Sequence, residues 1–443
     1  MAQDDIHNLL DDTFDRLFPI LRSISGPGLE ASYRVLGEHM PLDYLGVPTG
    51  QTVFDWTTPP EWHCRRATLT DPEGAVVCDT DVSNLHVLNY SEGFHGSVPL
   101  DRLQSHLHSL PHLPDTVPYV TSYYNRTWGF CLAHNVRQNL KQGDYCVAID
   151  AEFKDGQIPL AQTVLKGTTD REVLISSYLC HPSLANNELS GPLVLLALYR
   201  ALSRWEHRTF TYRFLLNPET IGSLCYLWLD GERLRSTIEA GLVLTCLGGP
   251  SRRLSFKATR RGDTRLDRLA RSWADREPET LAIRPFTPTS GSDERQFCSP
   301  GFNLPVGQFA RTIYGEYAGY HNALDTKAFM GIDALVESAS LIERFLKELD
   351  AAGPYVNQAP FGEPQLGRRD LYPTLNSAAT WQHSSDAIFD GRTTLERVLT
   401  ILNYSDGTYD LIDIAGKCGC SVTELLPVVN KLRAGGLLKD ART

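Results

Sequence analysis

Between positions 172 and 217 the chain alternates in a way that few folds accept. Glu172–Tyr178 is a nearly continuous run of strand length, Pro192–Trp205 has the length and spacing of a helix, and Phe210–Leu216 is strand again. A strand that lacks polar alternation must be covered on both faces. Strand–helix–strand repetition then implies an α/β sandwich with a mostly parallel central sheet between helices. The pattern continues with a helix opening at Leu224–Leu229, a strand at Gly241–Leu247, a helix at Leu266–Trp273 and an amphipathic helix at Ile332–Leu349 that closes the unit. Tyr145–Ala151 reads as a further strand of the same part. Ligands of such sheets bind at the carboxyl ends of the strands, and the notable polar residues of this chain cluster there.

A chain of 443 residues exceeds one ordinary core and implies two or three domains. Residues 47–117 change texture: short β-prone runs (Thr52–Trp56, Arg66–Leu69, Ala75–Cys78, Leu85–Leu88) are separated by Pro, Gly and Asp turns, which indicates a small β-rich module. His106, His108 and His112 fall inside it among leucines, a setting that favours structural histidines over a metal site. Residues 351–385 are rich in Pro, Gly and Asn and read as an irregular linker. Beyond them, Leu395–Leu402, Leu411–Cys418 and Val422–Ala434 are three helical segments, the last two joined at Gly419, in the manner of a winged helix.

The segment Met1–Arg22 carries Asp4, Asp5, Asp11, Asp12 and Asp15, so it lacks the positive start and unbroken apolar stretch of a secretory leader. Its Ile6, Leu9, Leu10, Phe14, Leu17 and Phe18 have helical spacing instead. No run of about eighteen apolar residues occurs, so no membrane span is expected and the expected compartment is the cytoplasm. A net charge of −11 argues against general nucleic-acid binding, because a phosphate backbone needs a positive surface. Ten scattered cysteines read as small buried hydrophobes, and Cys418-x-Cys420 is not a strong zinc spacing.

Four polar segments are candidates for chemistry. His181 follows the strand Glu172–Tyr178, and Asn186, Asn187 and Glu188 enter the next helix; the group reads either as metal ligands or as a capped helix start. Glu219, in Asn217-Pro218-Glu219-Thr220, follows the next strand and reads either as a general base or as a helix N-terminal carboxylate. In Ser290–Gln296, Asp293 and Arg295 contact substrate or form a structural ion pair. In Tyr320-His321-Asn322-Ala323-Leu324-Asp325-Thr326, His321 is a metal ligand or a surface histidine, and Asp325 an orienting group behind it.

Taken in order, these motifs resemble the M28-type zinc aminopeptidases. Longer runs, Asp55–Trp62, Ser83–Ser91, Tyr119–Tyr124, Thr127–Cys131 and Gly291–Gln296, resemble a bacterial aminopeptidase-like family with an inserted β-rich domain (DUF4910 with DUF2172) and a winged-helix tail. The resemblance covers nearly the whole chain. It implies a three-layer zinc-aminopeptidase-like sandwich built from residues 1–46 and 118–350, an insertion at 47–117, a linker at 351–385 and a winged-helix-like domain at 386–443.

It also implies His181 and His321 as imidazole ligands and Glu219 as the general base. The chain departs from the broader pattern where two metals share a bridging Asp: Asn187 stands there, with Glu188 beside it. The second Glu is replaced by Thr220, and the remaining Asp falls near Thr245 or Cys246. Two adjacent dications need several carboxylates, so one zinc ion is expected, held by His181, Glu188 and His321, with Asn187 as the alternative to Glu188. The implied reaction is attack of metal-activated water on an amide or peptide bond of a small peptide or N-acyl substrate, Glu219 taking the proton. Asp293, Arg295, Tyr320 and Trp128 are the expected substrate contacts, with Asp325 behind the metal. An acyltransferase or cyclase on the same scaffold, and a binding protein without catalysis, are the competing readings. Accessory domains often supply subunit contacts, so a homo-oligomer is among the expectations.

Overall fold

Eight strands make the large sheet of the computed structural model, which describes residues 3–369, 371 and 391–442. In chain order they are β1 (Asp43–Pro48), β2 (Gln157–Leu165), β3 (Glu172–Tyr178), β4 (Thr211–Asn217), β5 (Ile238–Leu244), β6 (Leu254–Lys257), β7 (Leu281–Arg284) and β8 (Val306–Ala310). Across the sheet they lie β1-β2-β4-β3-β5-β8-β6-β7. The central strands β4, β3, β5 and β8 are parallel, whereas β1–β2, β2–β4 and β6–β8 pair antiparallel. The sheet is therefore mixed, and the parallel run occupies its centre. Every residue of β3 and β4 is buried, as strands covered on both faces must be, and their charged residues Glu172 and Arg213 pair with each other.

Helix Ser190–Leu202 connects β3 to β4, and helix Ile221–Thr237 connects β4 across to β5. The first shares a core with Gln3–Leu17 and Ile332–Ala351, the second packs into the core on the other side of the sheet. The direction of strand addition reverses at β3, which opens a crevice at its carboxyl end. Gly191 is required there, because a Cβ would collide with Ser177 Oγ and the Leu244 carbonyl.

The β-rich module is an antiparallel sheet ordered Val76–Asp79, Glu61–Thr70, Asp144–Lys154, Phe94–Pro99. One of its two central strands contains Tyr145–Ala151, which the sequence reading assigned to the α/β part. Its burial explains the difference: Tyr145, Val147 and Ile149 are buried while Asp144 and Cys146 are exposed, the alternation of a strand with one wet face. Asp43–Pro48, by contrast, joins the large sheet as its edge.

A second correction concerns the segment read as irregular linker. Pro354–Asn357 is the central strand of a three-stranded sheet with Asp406–Asp410 and Leu438–Asp440. Four residues are too few to show a period, so sequence could not reveal this strand. The rest of the proposed linker and the start of the winged-helix segment, 370 and 372–390, lie outside the described residues. The three helices observed are Gly391–Tyr404, Leu411–Cys418 and Val422–Ala434, and Gly419 turns between the last two with φ 63°.

This module is bonded to the large domain. Asp410 is 4 % exposed, accepts from Arg268 Nη2 (2.7 Å) and Arg265 Nε (3.2 Å), and caps helix Leu411–Cys418 through the Ile412 and Asp413 amides. Thr423 Oγ1, at the start of the third helix, donates to Glu348. Replacing Asp410 with alanine uncaps a helix and takes one carboxylate from two half-buried arginines, which keep Asp413 and Glu239 as partners, and we expect a loss of about 1–2 kcal/mol in urea denaturation. Burial would raise the Asp410 carboxyl, but Arg268 and Arg265 hold it below the ordinary value. Its contribution is thus complete at neutral pH and fades as the pH falls through the acid range.

Candidate active site

Four of the seven described non-glycine residues with positive φ stand at the carboxyl-end crevice: Ser183 (48°), Thr220 (64°), Cys246 (51°) and His321 (55°). Such conformations persist where the surrounding structure enforces them, and they gather at functional sites. The stretch Ala185–Leu189 is a single π-helical turn, another irregularity common at such sites. It places Asn186, Asn187 and Glu188 in the interior, each at most 2 % exposed.

His181 is the centre of the cluster. Its Nδ1 lies 2.7 Å from Glu188 Oε2 and 3.3 Å from Cys180 Sγ, while Glu188 Oε1 accepts the Cys180 amide. Cys180, His181 and Glu188 bring ligand atoms within 4.8 Å of one another, but these atoms already bond among themselves. Glu188 therefore sits behind the ring on the Nδ1 side, where a carboxylate fixes tautomer and orientation. The other nitrogen, Nε2, lies 3.8 Å from Glu219 Oε2. Burial opposes a charge on His181, yet Cys180 and Glu188 raise its pKa well above the ordinary value.

Glu219 is the one carboxylate of the group that a solute reaches: its side chain is 26 % exposed, against 0 % for Glu188. Its Oε1 accepts from Ser292 Oγ at 2.6 Å, and its amide points at Cys180 Sγ. Burial among its neighbours raises its pKa despite the nearby His181.

Asp293, expected as a substrate contact, is fully buried and turned inward. It accepts from the Thr220 amide (2.7 Å), Ser223 Oγ (2.9 Å) and Asn217 Nδ2 (2.8 Å), so it sets the left-handed turn that carries Glu219. Burial and the adjacent Glu219 push its carboxyl up to about 7.

His321 and His181 have ring centroids 5.3 Å apart, and Tyr320 stacks on His321 at 4.0 Å. Burial and His181 push the His321 pKa down to about 3, which keeps its imidazole neutral. Asp325 accepts the amides of Asn186 (2.7 Å) and Asn187 (2.9 Å) and lies 3.3 Å from Tyr317 Oη, clamping the π-turn to the His321 loop. Arg295 lies at the rim, half-buried, its Nε on the Ser292 carbonyl. Trp128 does not join the others. It stacks on His106 (3.7 Å) and Phe94 (4.4 Å) in the β-rich module, an apolar and aromatic setting that claims it for packing. Ser292 carries no signal in the sequence beyond its place in the Ser290–Gln296 loop, and Tyr123, a pocket residue expected from sequence, shares a hydroxyl contact of 2.6 Å with Tyr119.

The donor set suits zinc. Two imidazoles on one tetrahedral ion, with Zn–N near 2 Å, have centroids about 5 Å apart, close to the observed separation. Asn187 Oδ1 is buried without a hydrogen-bond partner, a bare acceptor that a cation would satisfy.

Comparisons with known proteins agree with this architecture. The family model described as Domain of unknown function (DUF4910) matches residues 11–352, and a winged helix-turn-helix model matches 353–440. A Clostridium acetobutylicum protein, named as a candidate polysaccharide-biosynthesis protein with an aminopeptidase-like domain, is 36 % identical over 435 residues, 98 % of this chain and 96 % of its own. The crystal structure of a candidate peptidase from Clostridium acetobutylicum superposes with a TM-score of 0.86 at 34 % identity, covering 99 % of this chain and 97 % of that one. BSAP, a zinc aminopeptidase from Bacillus subtilis, shares the fold at TM-score 0.55 and 13 % identity, over 77 % of this chain and 94 % of that one.

Proposed function

Because this chain belongs to the DUF4910 family, we propose that it is a zinc-dependent hydrolase of an amide bond in a small substrate, with Glu219 as general base. The observation that carries the reading is the Glu219 carboxylate, anchored at Oε1 by Ser292 and presenting Oε2 beside His181 Nε2 at the open end of the crevice. The Clostridium acetobutylicum matches, a sequence named with an aminopeptidase-like domain and a crystal structure of a candidate peptidase, support it.

His181 Nε2, His321 and Asn187 Oδ1 would hold one zinc ion, with Glu188 orienting His181. Glu188 as ligand is the less economical choice, since it must release the Cys180 amide or the His181 ring. A zinc ion bound there polarises a carbonyl and acidifies water. Glu219 takes the proton from the attacking water at Oε2 and returns it to the departing amine. Ser292 holds the other carboxylate oxygen, and the Asp293 turn holds the backbone beneath it. Asn187, Thr220 and Thr245 are uncharged where a two-metal site needs acids, which supports a single ion.

An N-acylated substrate fits better than a free peptide N-terminus. Among the described residues, Glu188, Asp293 and Asp325 each already accept two or more internal hydrogen bonds, and Glu219 is the base. No further carboxylate of the cluster receives an α-ammonium, while Arg295 and Tyr320 at the rim suit a polar or anionic group. The association of the Clostridium relative with polysaccharide biosynthesis supports an N-acylated sugar as one such substrate.

The test pairs aminoacyl p-nitroanilides with their N-acetylated counterparts and adds N-acetylated amino sugars, on zinc-loaded protein, following released amine. We expect the N-blocked partner of each pair to be cleaved at least about tenfold faster, the size of one unpaired charged group. Preference for the free amine would make the protein an aminopeptidase in the ordinary sense. A cyclised product would favour the cyclase reading, and absence of any turnover the binding-protein reading. Among the described residues no helix is long and apolar enough to cross a membrane.

A further inference from the structure

We propose that Ser292, carried on a loop pinned by the buried Lys257–Glu294 ion pair, is a positioning residue that holds the Glu219 carboxylate in the single orientation that presents its free oxygen to the crevice. The inference rests on Glu219 being the working carboxylate.

Lys257 ends strand β6 and is 1 % exposed, an unusual place for a lysine. Its Nζ donates to Glu294 Oε1 (2.7 Å) and to the carbonyls of Thr287 (2.8 Å) and Ser290 (2.5 Å), filling all three of its donors. One ammonium thus ties both arms of the 287–292 loop to the helical turn Glu294–Phe297. Glu294 is fully buried, and its Oε2 accepts the Ser292 amide (2.9 Å) and Gln308 Nε2 (3.0 Å). Gln308 in turn accepts from Arg284 and contacts Tyr314 Oη, so the network spans strands β6, β7 and β8. Gly291 is the hinge that makes the approach possible: its φ is 127°, and a Cβ there would strike both Glu294 Oε1 and Lys257 Nζ.

The result is a relay of position. Lys257 fixes Glu294, Glu294 fixes the Ser292 amide, and the 1 %-exposed Ser292 then donates its hydroxyl to Glu219 Oε1. The two oxygens of a carboxylate are equivalent and the barrier to rotation about its last bond is low, so what the Ser292 bond sets is the side-chain conformation and the plane of the group. Anchoring Oε1 leaves Oε2 as the oxygen beside His181 Nε2. A buried ion pair is a poor way to gain stability, since apolar residues of similar volume do as well or better. Its placement under the loop that touches the base points to orientation as its use.

Crystal structures of Ser292→Ala, Ser292→Thr and the double variant Lys257→Met/Glu294→Leu test this without any substrate. In Ser292→Ala and in the double variant we expect Glu219 to occupy more than one side-chain conformation, and in the double variant the 287–292 loop to shift. Ser292→Thr, which keeps the hydroxyl, restores the single orientation. On a substrate that the wild type cleaves, Ser292→Ala lowers kcat about ten- to a hundredfold at unchanged KM, the range for one hydrogen bond to a charged group, and Ser292→Thr recovers it. An undisturbed Glu219 in Ser292→Ala overturns the proposal, whether or not the double variant folds. A wild type without turnover whose Glu219 reorients in Ser292→Ala would instead sink the hydrolase reading and leave the positioning role standing.

Discussion

Replacing Glu219 with glutamine is expected to lower turnover about 10³-fold while leaving zinc content unchanged, within the span that general-base catalysis contributes. The substitution is nearly isosteric. The glutamine Oε1 still accepts from Ser292 Oγ, which places the Nε2 amide where Oε2 stood, beside His181 Nε2. That group has no lone pair to take a proton, so the chemical step fails although the crevice keeps its shape. Metal analysis of the purified variant alongside kcat separates the two roles, because a ligand role for Glu219 would lower both. An unchanged rate would exclude Glu219 as the base. Asp293→Asn should fall between wild type and Glu219→Gln. The asparagine oxygen keeps both the Thr220 amide and Ser223 Oγ, which share one Asp293 oxygen, but its amide meets Asn217 Nδ2, so the turn bearing Glu219 loses one of its three ties.

The parts of this molecule that were legible in its sequence are those set by local pattern. A nearly continuous apolar run identified β3 as a covered strand and strand–helix–strand alternation identified β4, and the polar loops that follow them contain His181 and Glu219. Pairing partners are non-local, and there the reading failed. Asp144–Lys154 has strand character wherever it goes, and only its alternation of Tyr145, Val147 and Ile149 with wet neighbours assigns it to the smaller sheet. Pro354–Asn357 is a central strand because two distant strands close on it, and nothing within its four residues announces that. Side-chain direction was equally hidden. Asp293 and Arg295 are two residues apart, yet one is turned wholly inward under Thr220 and the other lies at the rim. Lys257 gave no sign of importance, since a lysine ending a strand is ordinarily a solvated one.

Zinc affinity discriminates among the candidate ligands, and His321→Ala should weaken it by more than a hundredfold. Partners that only orient a ligand are worth about 10–100-fold in metal affinity, so removal of a ligand itself must exceed that. His321 is prepared for the role: burial and His181 hold its imidazole neutral, and Tyr320 stacks on its ring. Glu188→Gln is expected to cost about 10–100-fold, the effect of an orienting group. The glutamine carbonyl still accepts from one of the two donors, but its amide meets the other donor head-on. Asn187→Asp is the informative third variant. Its Oδ1 lies buried without a partner, and a negative oxygen in that position binds a dication more tightly than an amide oxygen does. If Oδ1 faces the ion, the aspartate raises zinc affinity. If Glu188 is the ligand instead, the aspartate places an uncompensated charge in the interior, lowers stability and leaves zinc affinity no better. Competition titrations with a chromophoric chelator on the three variants therefore rank His321, Asn187 and Glu188, and a Glu188→Gln loss exceeding that of His321→Ala would reverse their assigned roles.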